Sequence, residues 1–69
     1  MIYPNPVKDI LYVNTLEVPT EIKVYDTLGR LVAANTHQNT INLSQLNKGI
    51  YMVSVVVNSK KQVKKNIKN

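Results

Sequence analysis

Few side chains in this sequence could perform acid–base or metal chemistry. Its 69 residues contain one histidine, His37, and no cysteine, so a disulfide framework and a thiolate metal site are excluded. The carboxylates belong to four residues: Asp9, Glu17, Glu21 and Asp26. No two of them form a catalytic acid/base signature, and none combines with His37 at the spacing of metal ligands. We therefore expect His37 to be a solvated loop residue, Asp26 to form a turn, and the chain not to be an enzyme.

Hydroxyl and glycine residues give no catalytic motif either. Ser44 lies in no nucleophile motif and is better explained as a cap of a tight turn. Gly29 and Gly49 are twenty residues apart in the sequence, too far for a phosphate-binding glycine loop. We expect neither a cofactor nor a metal ion.

Positive charge is concentrated at the C-terminal end of the chain. Lysine and arginine outnumber aspartate and glutamate by nine to four, which gives a net charge of +5. Five of the nine cations fall within the last ten residues: Lys60, Lys61, Lys64, Lys65 and Lys68. Lysines can contact phosphates, but single-strand binders usually add stacking aromatic residues, and all four tyrosines lie outside this segment.

Two other interpretations of the lysine-rich end are open. The lysines can protect an edge strand from aggregation. Alternatively, a partner can add a strand beside this edge and contact alternate side chains. In that case Val63 and Ile67 would anchor the last strand to the core, while the lysines stay available to the partner.

Short apolar stretches with a period of two residues predict strands throughout the chain. The predicted strands are Ile10–Asn14, Thr20–Asp26, Arg30–Ala34, Thr40–Leu43, Ile50–Val57 and Lys61–Lys68, with Met1–Tyr3 as a candidate seventh. The predicted connections include a turn at Asp26–Gly29, a loop at Asn35–Asn39 and a turn at Asn58–Lys60. No stretch keeps a helical period. Six or seven short strands without helices predict an antiparallel β-sandwich of two packed sheets.

The stretch from Leu43 to Tyr51 gives the sharpest architectural signal. Ser44 can cap one tight helical turn, Leu46 can point from it into the core, and Gly49 can adopt the positive φ that leads into a strand. From there one face of the strand is predicted to be buried: Tyr51, Val53, Val55 and Val57.

Two predicted strands are apolar on both faces. The residues opposite their core-facing sets are Ile10, Tyr12, Ile50, Met52 and Val56. If the two strands are neighbours, these side chains predict one exposed apolar patch of the kind that contacts partners. The alternative is that the N-terminal segment or the 35–39 loop covers them.

Four segments of the chain, taken in order, resemble one known family. They are Tyr3–Pro6, Ile22–Val32, Ile41–Tyr51 and a lysine-rich last strand. From Tyr3 to Lys68 the chain resembles the type A C-terminal sorting domain of type IX secretion system cargo. This resemblance implies an immunoglobulin-like β-sandwich and a single domain, 1–69, at the end of a longer secreted protein. The chain would then be a fragment of that protein, with Met1 supplied for expression.

The resemblance also implies which residues carry the family's motifs. Asn5 and Pro6 match the opening motif, and Gly29 and Arg30 match the central turn. Leu46, Gly49 and Tyr51 match the third motif, and like the first two this one is mainly structural. Export information in the family concentrates in the terminal strand, matched here by Lys64, Lys65, Ile67 and Lys68.

The implied function is that of a sorting signal. The domain would direct a covalently linked N-terminal cargo from the periplasm across the outer membrane through the type IX translocon. A sortase-like outer-membrane component would then usually remove it, cutting upstream of Tyr3, and leave the cargo at the cell surface or released. Such a domain is a substrate and catalyses nothing. The sequence has neither an N-terminal signal peptide nor an apolar run that approaches the length of a membrane helix.

The main alternative is a carbohydrate-binding or adhesive β-sandwich module of an extracellular protein. It would need a flat or concave aromatic platform, and the sequence offers only four tyrosines, with Tyr51 expected in the core. A nucleic-acid-binding module is a third interpretation, which depends on the terminal lysines alone.

Overall fold

The computed structural model describes all 69 residues and forms a sandwich of two antiparallel sheets. The seven strands are β1 (Ile2–Tyr3), β2 (Ile10–Val13), β3 (Glu21–Tyr25), β4 (Leu31–Thr36), β5 (Thr40–Asn42), β6 (Gly49–Val57) and β7 (Lys60–Lys68). A three-stranded sheet has the order β1-β2-β5, and a four-stranded sheet has the order β4-β3-β6-β7. This confirms the predicted immunoglobulin-like sandwich. Its elements include no apolar helix of membrane-spanning length.

The core lies between the two sheets and is built by alternate residues of the strands. Its ten buried side chains are Ile2, Val7, Leu11, Val13, Ile22, Val24, Ile41, Leu43, Val53 and Val55. Tyr51 and Val57 are partly buried against this cluster, so the predicted core face of β6 is confirmed. The period-two pattern succeeds here because successive side chains of a strand point to opposite faces of its sheet.

Several predicted connections need correction. β4 continues through Asn35 to Thr36, so the loop that follows it is shorter than predicted. The turn before β7 contains only Asn58 and Ser59, whose φ angles are 53° and 65°. Positive φ at both central residues is typical of two-residue hairpin turns, whose twist matches that of the flanking strands. Lys60 therefore already belongs to β7.

The predicted helical turn capped by Ser44 is wrong. Residues 44–45 form a turn, in which the Leu46 amide donates to the Leu43 carbonyl at 3.0 Å. The side chain that stabilises this turn is Asn42, whose Oδ1 accepts from the Ser44 amide at 2.9 Å. An Asx-type contact replaces the expected serine cap.

The prediction of a single exposed apolar patch is also wrong, because β2 and β6 belong to different sheets. Ile10 and Tyr12 lie on the outer face of the three-stranded sheet, and Tyr12 stacks on Tyr3 with ring centroids 5.6 Å apart. The N-terminal strand thus contacts this region, as the alternative proposed, yet Tyr12 remains 42% exposed. Ile50 and Met52 are exposed on the other side of the molecule.

Candidate functional site

The terminal strand β7 lies at the edge of the four-stranded sheet, as predicted. It pairs with β6 along its whole length, from Val57 opposite Lys60 to Gly49 opposite Lys68. Along residues 60–65 every side chain is exposed. The lysine-rich end is therefore a true sheet edge that a partner can approach.

The four residues predicted to be recognised do not form one surface. Lys64 pairs with the core residue Val53 and shares the inward face with Lys68. Lys65 and Ile67 lie on the outward face, opposite Met52 and Ile50 respectively. Lys68 is only 6% exposed, and its ammonium donates to the Asn69 carbonyl oxygen at 2.7 Å. Lys64, Lys65 and Ile67 are thus accessible, whereas Lys68 is mostly enclosed.

The prediction that Val63 and Ile67 anchor β7 to the core is wrong. Val63 is 56% exposed and Ile67 is 42% exposed, while Asn66 and Lys68 are buried. The reason is the two-residue turn, which sets the pairing register so that inward residues of β6 oppose even-numbered residues of β7. A one-residue change in register moves every side chain of a strand to the other face.

An opening segment, residues 4–7, fastens the C-terminal end of β7. Val7 donates its amide to the Ile67 carbonyl at 2.8 Å and accepts from the Asn69 amide at 2.8 Å. The Ile67 amide donates to Asn5 Oδ1 at 3.0 Å, and Asn66 Nδ2 donates to the Pro4 carbonyl at 3.1 Å. Residues 62 positions apart are joined in this way, so Asn5 of the opening motif acts directly on the terminal strand.

The central turn is organised by one carboxylate. Asp26 Oδ1 accepts from the amides of Leu28 and Arg30, each at 2.9 Å, and Oδ2 accepts from Arg30 Nε at 2.8 Å. Gly29, with a φ of 81°, closes the turn by donating to the Asp26 carbonyl at 3.0 Å. The amide of Arg30, with its guanidinium and the Leu28 amide, lowers the pKa of the Asp26 carboxyl. Asp26 is confirmed as a turn former.

This lowered pKa predicts a stability loss in acid. Because the folded pKa lies below the reference value of 3.8, the ionised carboxylate stabilises the fold above that pH, and the contribution disappears as the pH falls through the folded pKa. We expect Asp26→Asn to lower the melting temperature at neutral pH and to match the parent chain well below pH 3.8. Thermal melts of both proteins across this range measure the difference, and a constant gap at every pH would contradict the assignment.

The third motif joins the turn after β5 to the start of β6. Leu46 is partly buried against the core, as predicted. Gly49 has a φ of 152°, which favours glycine, and the Tyr51 hydroxyl donates to the Asn47 carbonyl at 2.7 Å. These residues shape the entry into β6.

The two glycines support a prediction based on backbone strain alone. A Cβ atom added at Gly29 or Gly49 would meet no other atom within 4 Å, so any cost comes from the φ angle. We expect valine at either position to destabilise the fold by about 1–3 kcal/mol. At Gly29, asparagine should cost less than valine because it tolerates left-handed backbone. Urea unfolding of the three variants tests this, and unchanged midpoints for both valine variants would refute it.

The outer face of the four-stranded sheet carries a second exposed surface. The sequence predicted exposure of its residues Ile50 and Met52, but not that other apolar side chains join them. Cross-strand pairing places Ile50 beside Ile67 and Met52 beside both Tyr25 and Lys65. We call this the outer patch; its exposed apolar members are Leu31, Ile50, Met52, Val63 and Ile67. Only the order of the strands brings these side chains together, and the sequence pattern does not contain that order.

The histidine and the acidic side chains lie apart from one another in the fold. His37 is exposed in the loop after β4, as predicted. No group of three or more histidine and acidic side chains comes together that could hold a metal ion. Tyr3 and Tyr12 form one stacked pair, with a 20° angle between the rings.

Comparison with known proteins gives one result for the whole chain. A family model described as a secretion system C-terminal sorting domain matches residues 1–69. A search of curated proteins finds no significant match. The family match covers β1 to β7 and the opening segment together, so it applies to the sandwich as a unit.

Proposed function

This chain belongs to the family of secretion system C-terminal sorting domains, and from that premise we propose that it carries an attached cargo across the outer membrane through the type IX translocon. The chain itself is the signal, a single domain at the end of a longer exported protein. It acts as a substrate of the machinery, and the cargo is covalently linked on its N-terminal side. A sortase-like protease then usually removes the domain at a point before Tyr3, and the cargo stays at the cell surface or is released.

One observation supports the terminal strand as the recognised element. β7 is an edge strand whose accessible side chains include Lys64, Lys65 and Ile67. An edge presents unpaired N–H and C=O groups, which a partner can bind without regard to the cargo attached at the other end. We propose that these three side chains contact the translocon. Lys68 is mostly enclosed and is not part of this contact surface.

Export of the full-length parent protein tests this proposal. Deleting Lys64–Asn69 should leave the cargo in the periplasm, because the recognised strand is shortened. Since the deletion also removes contacts to the opening segment, a second variant keeps the fold: Lys65→Ser with Ile67→Ser, both exposed on the outer face. Fractionation of cells and medium should show reduced export for both variants. The matched control is Lys8→Ser with Leu16→Ser, which also removes one exposed lysine and one exposed apolar side chain, and it should be exported normally.

Unimpaired export of both the deletion and the double variant would contradict the proposal. Equal export defects in the double variant and its control would mean that total charge matters and β7 does not.

A further inference from the structure

The edge of β7 is divided into an occupied part and a free part. At the C-terminal end of β7, the opening segment occupies the backbone groups that point away from β6. Asn5 Oδ1 accepts from the Ile67 amide, and the Val7 amide donates to the Ile67 carbonyl. In an antiparallel pair, alternate residues direct their backbone groups toward the partner strand and the others away from it. Lys61, Val63 and Lys65 are separated from Ile67 by even numbers of residues. Their N–H and C=O groups therefore point the same way as those of Ile67, away from β6.

These three residues have no hydrogen-bonding partner on that side. No backbone bond outside the strand ladders involves them, and no strand lies beyond β7 in the sheet. The free edge, residues 61–65, is therefore bounded by the hairpin turn at one end and by Val7 at the other. An added strand can pair with the stretch between these two limits.

The charge around the free edge is positive and uncompensated. The two salt bridges of the molecule, Lys23–Glu21 and Arg30–Asp26, leave the β7 lysines without an acidic partner. On the outward face the row reads Lys61, Val63, Lys65, and on the inward face Gln62 and Lys64 are exposed. Like charges directly opposite each other on paired strands are destabilising, whereas opposite charges stabilise the pair.

We propose that an extended segment of a partner protein adds as a strand beside residues 61–65. On the outer face of the sheet, its successive side chains are acidic, apolar and acidic. Its two carboxylates pair with Lys61 and Lys65, and its apolar side chain packs on Val63 between them. This inference rests on the proposed function, since it names the chemistry of the partner at the same strand. A second copy of this chain does not fit, because two lysine edges repel each other.

A peptide titration tests the inference on the 69-residue chain. The probe is a synthetic extended peptide whose alternate side chains are Glu, Val and Glu, a symmetric row that suits either strand direction. We expect saturable shifts of the Lys61, Val63 and Lys65 amide resonances at low salt. The same peptide with Lys in place of both Glu residues should not bind. No saturable binding of the acidic peptide, or shifts centred elsewhere in the molecule, would overturn the inference.

Two variants separate backbone pairing from charge. Val63→Pro removes the one N–H of Val63, which points away from β6 and takes part in no ladder bond. Proline is tolerated at such an edge position. The variant should bind the peptide about tenfold more weakly. Val63→Thr keeps the donor and should bind within about threefold of the parent chain. The double variant Lys61→Glu with Lys65→Glu should exchange the preference, binding the lysine peptide and losing the acidic one. Parent-like binding by Val63→Pro, or no exchange in the charge variant, would refute strand addition.

The same variants distinguish failure of this inference from failure of the proposed function. If the cargo carrying Val63→Pro is exported normally while the Lys64–Asn69 deletion is not, the domain is a sorting signal but strand addition is wrong. If neither change affects export, the proposed function itself fails.

Discussion

Ile22→Ala should leave the domain largely unfolded. The Ile22 side chain is fully buried (0% exposed) in the middle of β3, where it pairs with Val55 and Asn35 on the two neighbouring strands. Truncation of a buried isoleucine costs about 2–5 kcal/mol, because both transfer free energy and packing are lost. A domain of this size has only about 3–5 kcal/mol to lose. Circular dichroism with urea titration should show loss of most or all of the folded baseline.

Ile50→Ala is the matched control. The same side chain is removed from a 47% exposed position on the outer patch, so the loss should stay below about 1 kcal/mol. Equal midpoints for the two variants would mean that the core is not where the structure places it. Because β3 pairs with β6 and β6 pairs with β7, unfolding by Ile22→Ala should also abolish export of an attached cargo.

Alternation along a strand predicts a buried face only where that face is apolar. In β6 the pattern of Tyr51, Val53, Val55 and Val57 identified the inward set correctly. In β3, Ile22 and Val24 alternate with the charged residues Glu21 and Lys23, and both apolar side chains are fully buried. For such strands the sequence is sufficient, because burial of apolar side chains dominates the free energy of sheet packing.

For β7, the apolar pattern predicts the wrong buried face. Its apolar residues, Val63 and Ile67, alternate with polar ones, and the pattern alone assigns them to the core. The hairpin register overrides this preference, because Asn58 and Ser59 complete the turn by themselves and fix Lys60 opposite Val57. Counting the turn as two residues rather than three would have reversed the predicted face of β7. The signal was therefore present, in an Asn-Ser pair that can take positive φ at both positions.

The contact between the opening segment and β7 could not be predicted from the sequence pattern. The segment's motif residues Asn5 and Pro6 came from the family resemblance, but their contact with β7 joins opposite ends of the chain. No periodicity connects Pro4 with Asn66, and nothing in the sequence distinguishes Asn66 from an exposed residue of a lysine-rich strand. Its burial to 2% follows from the chain path, which only the folded structure contains.

Asn66→Asp tests whether this buried contact holds the two ends together. At neutral pH the new carboxylate could not donate to the Pro4 carbonyl, and it would place a charge where the side chain is almost fully enclosed. The one buried cation, Lys68, directs its ammonium to the Asn69 main-chain oxygen at 2.7 Å. We expect a loss of about 3 kcal/mol, the cost of an uncompensated buried charge. Hydrogen exchange should show the Val7 and Ile67 amides losing protection before those of β3.

Mild acid should largely reverse this effect. Burial raises the pKa of a carboxyl group, and once protonated the group can donate to the Pro4 carbonyl as the amide did. The control Asn39→Asp changes an exposed loop residue and should alter stability little at either pH. Asn66→Asp behaving like this control, or losing stability equally at both pH values, would show that the Pro4 contact does not hold the opening segment on β7. The recovery in acid matters most, since an unspecific packing defect at this position would not depend on protonation.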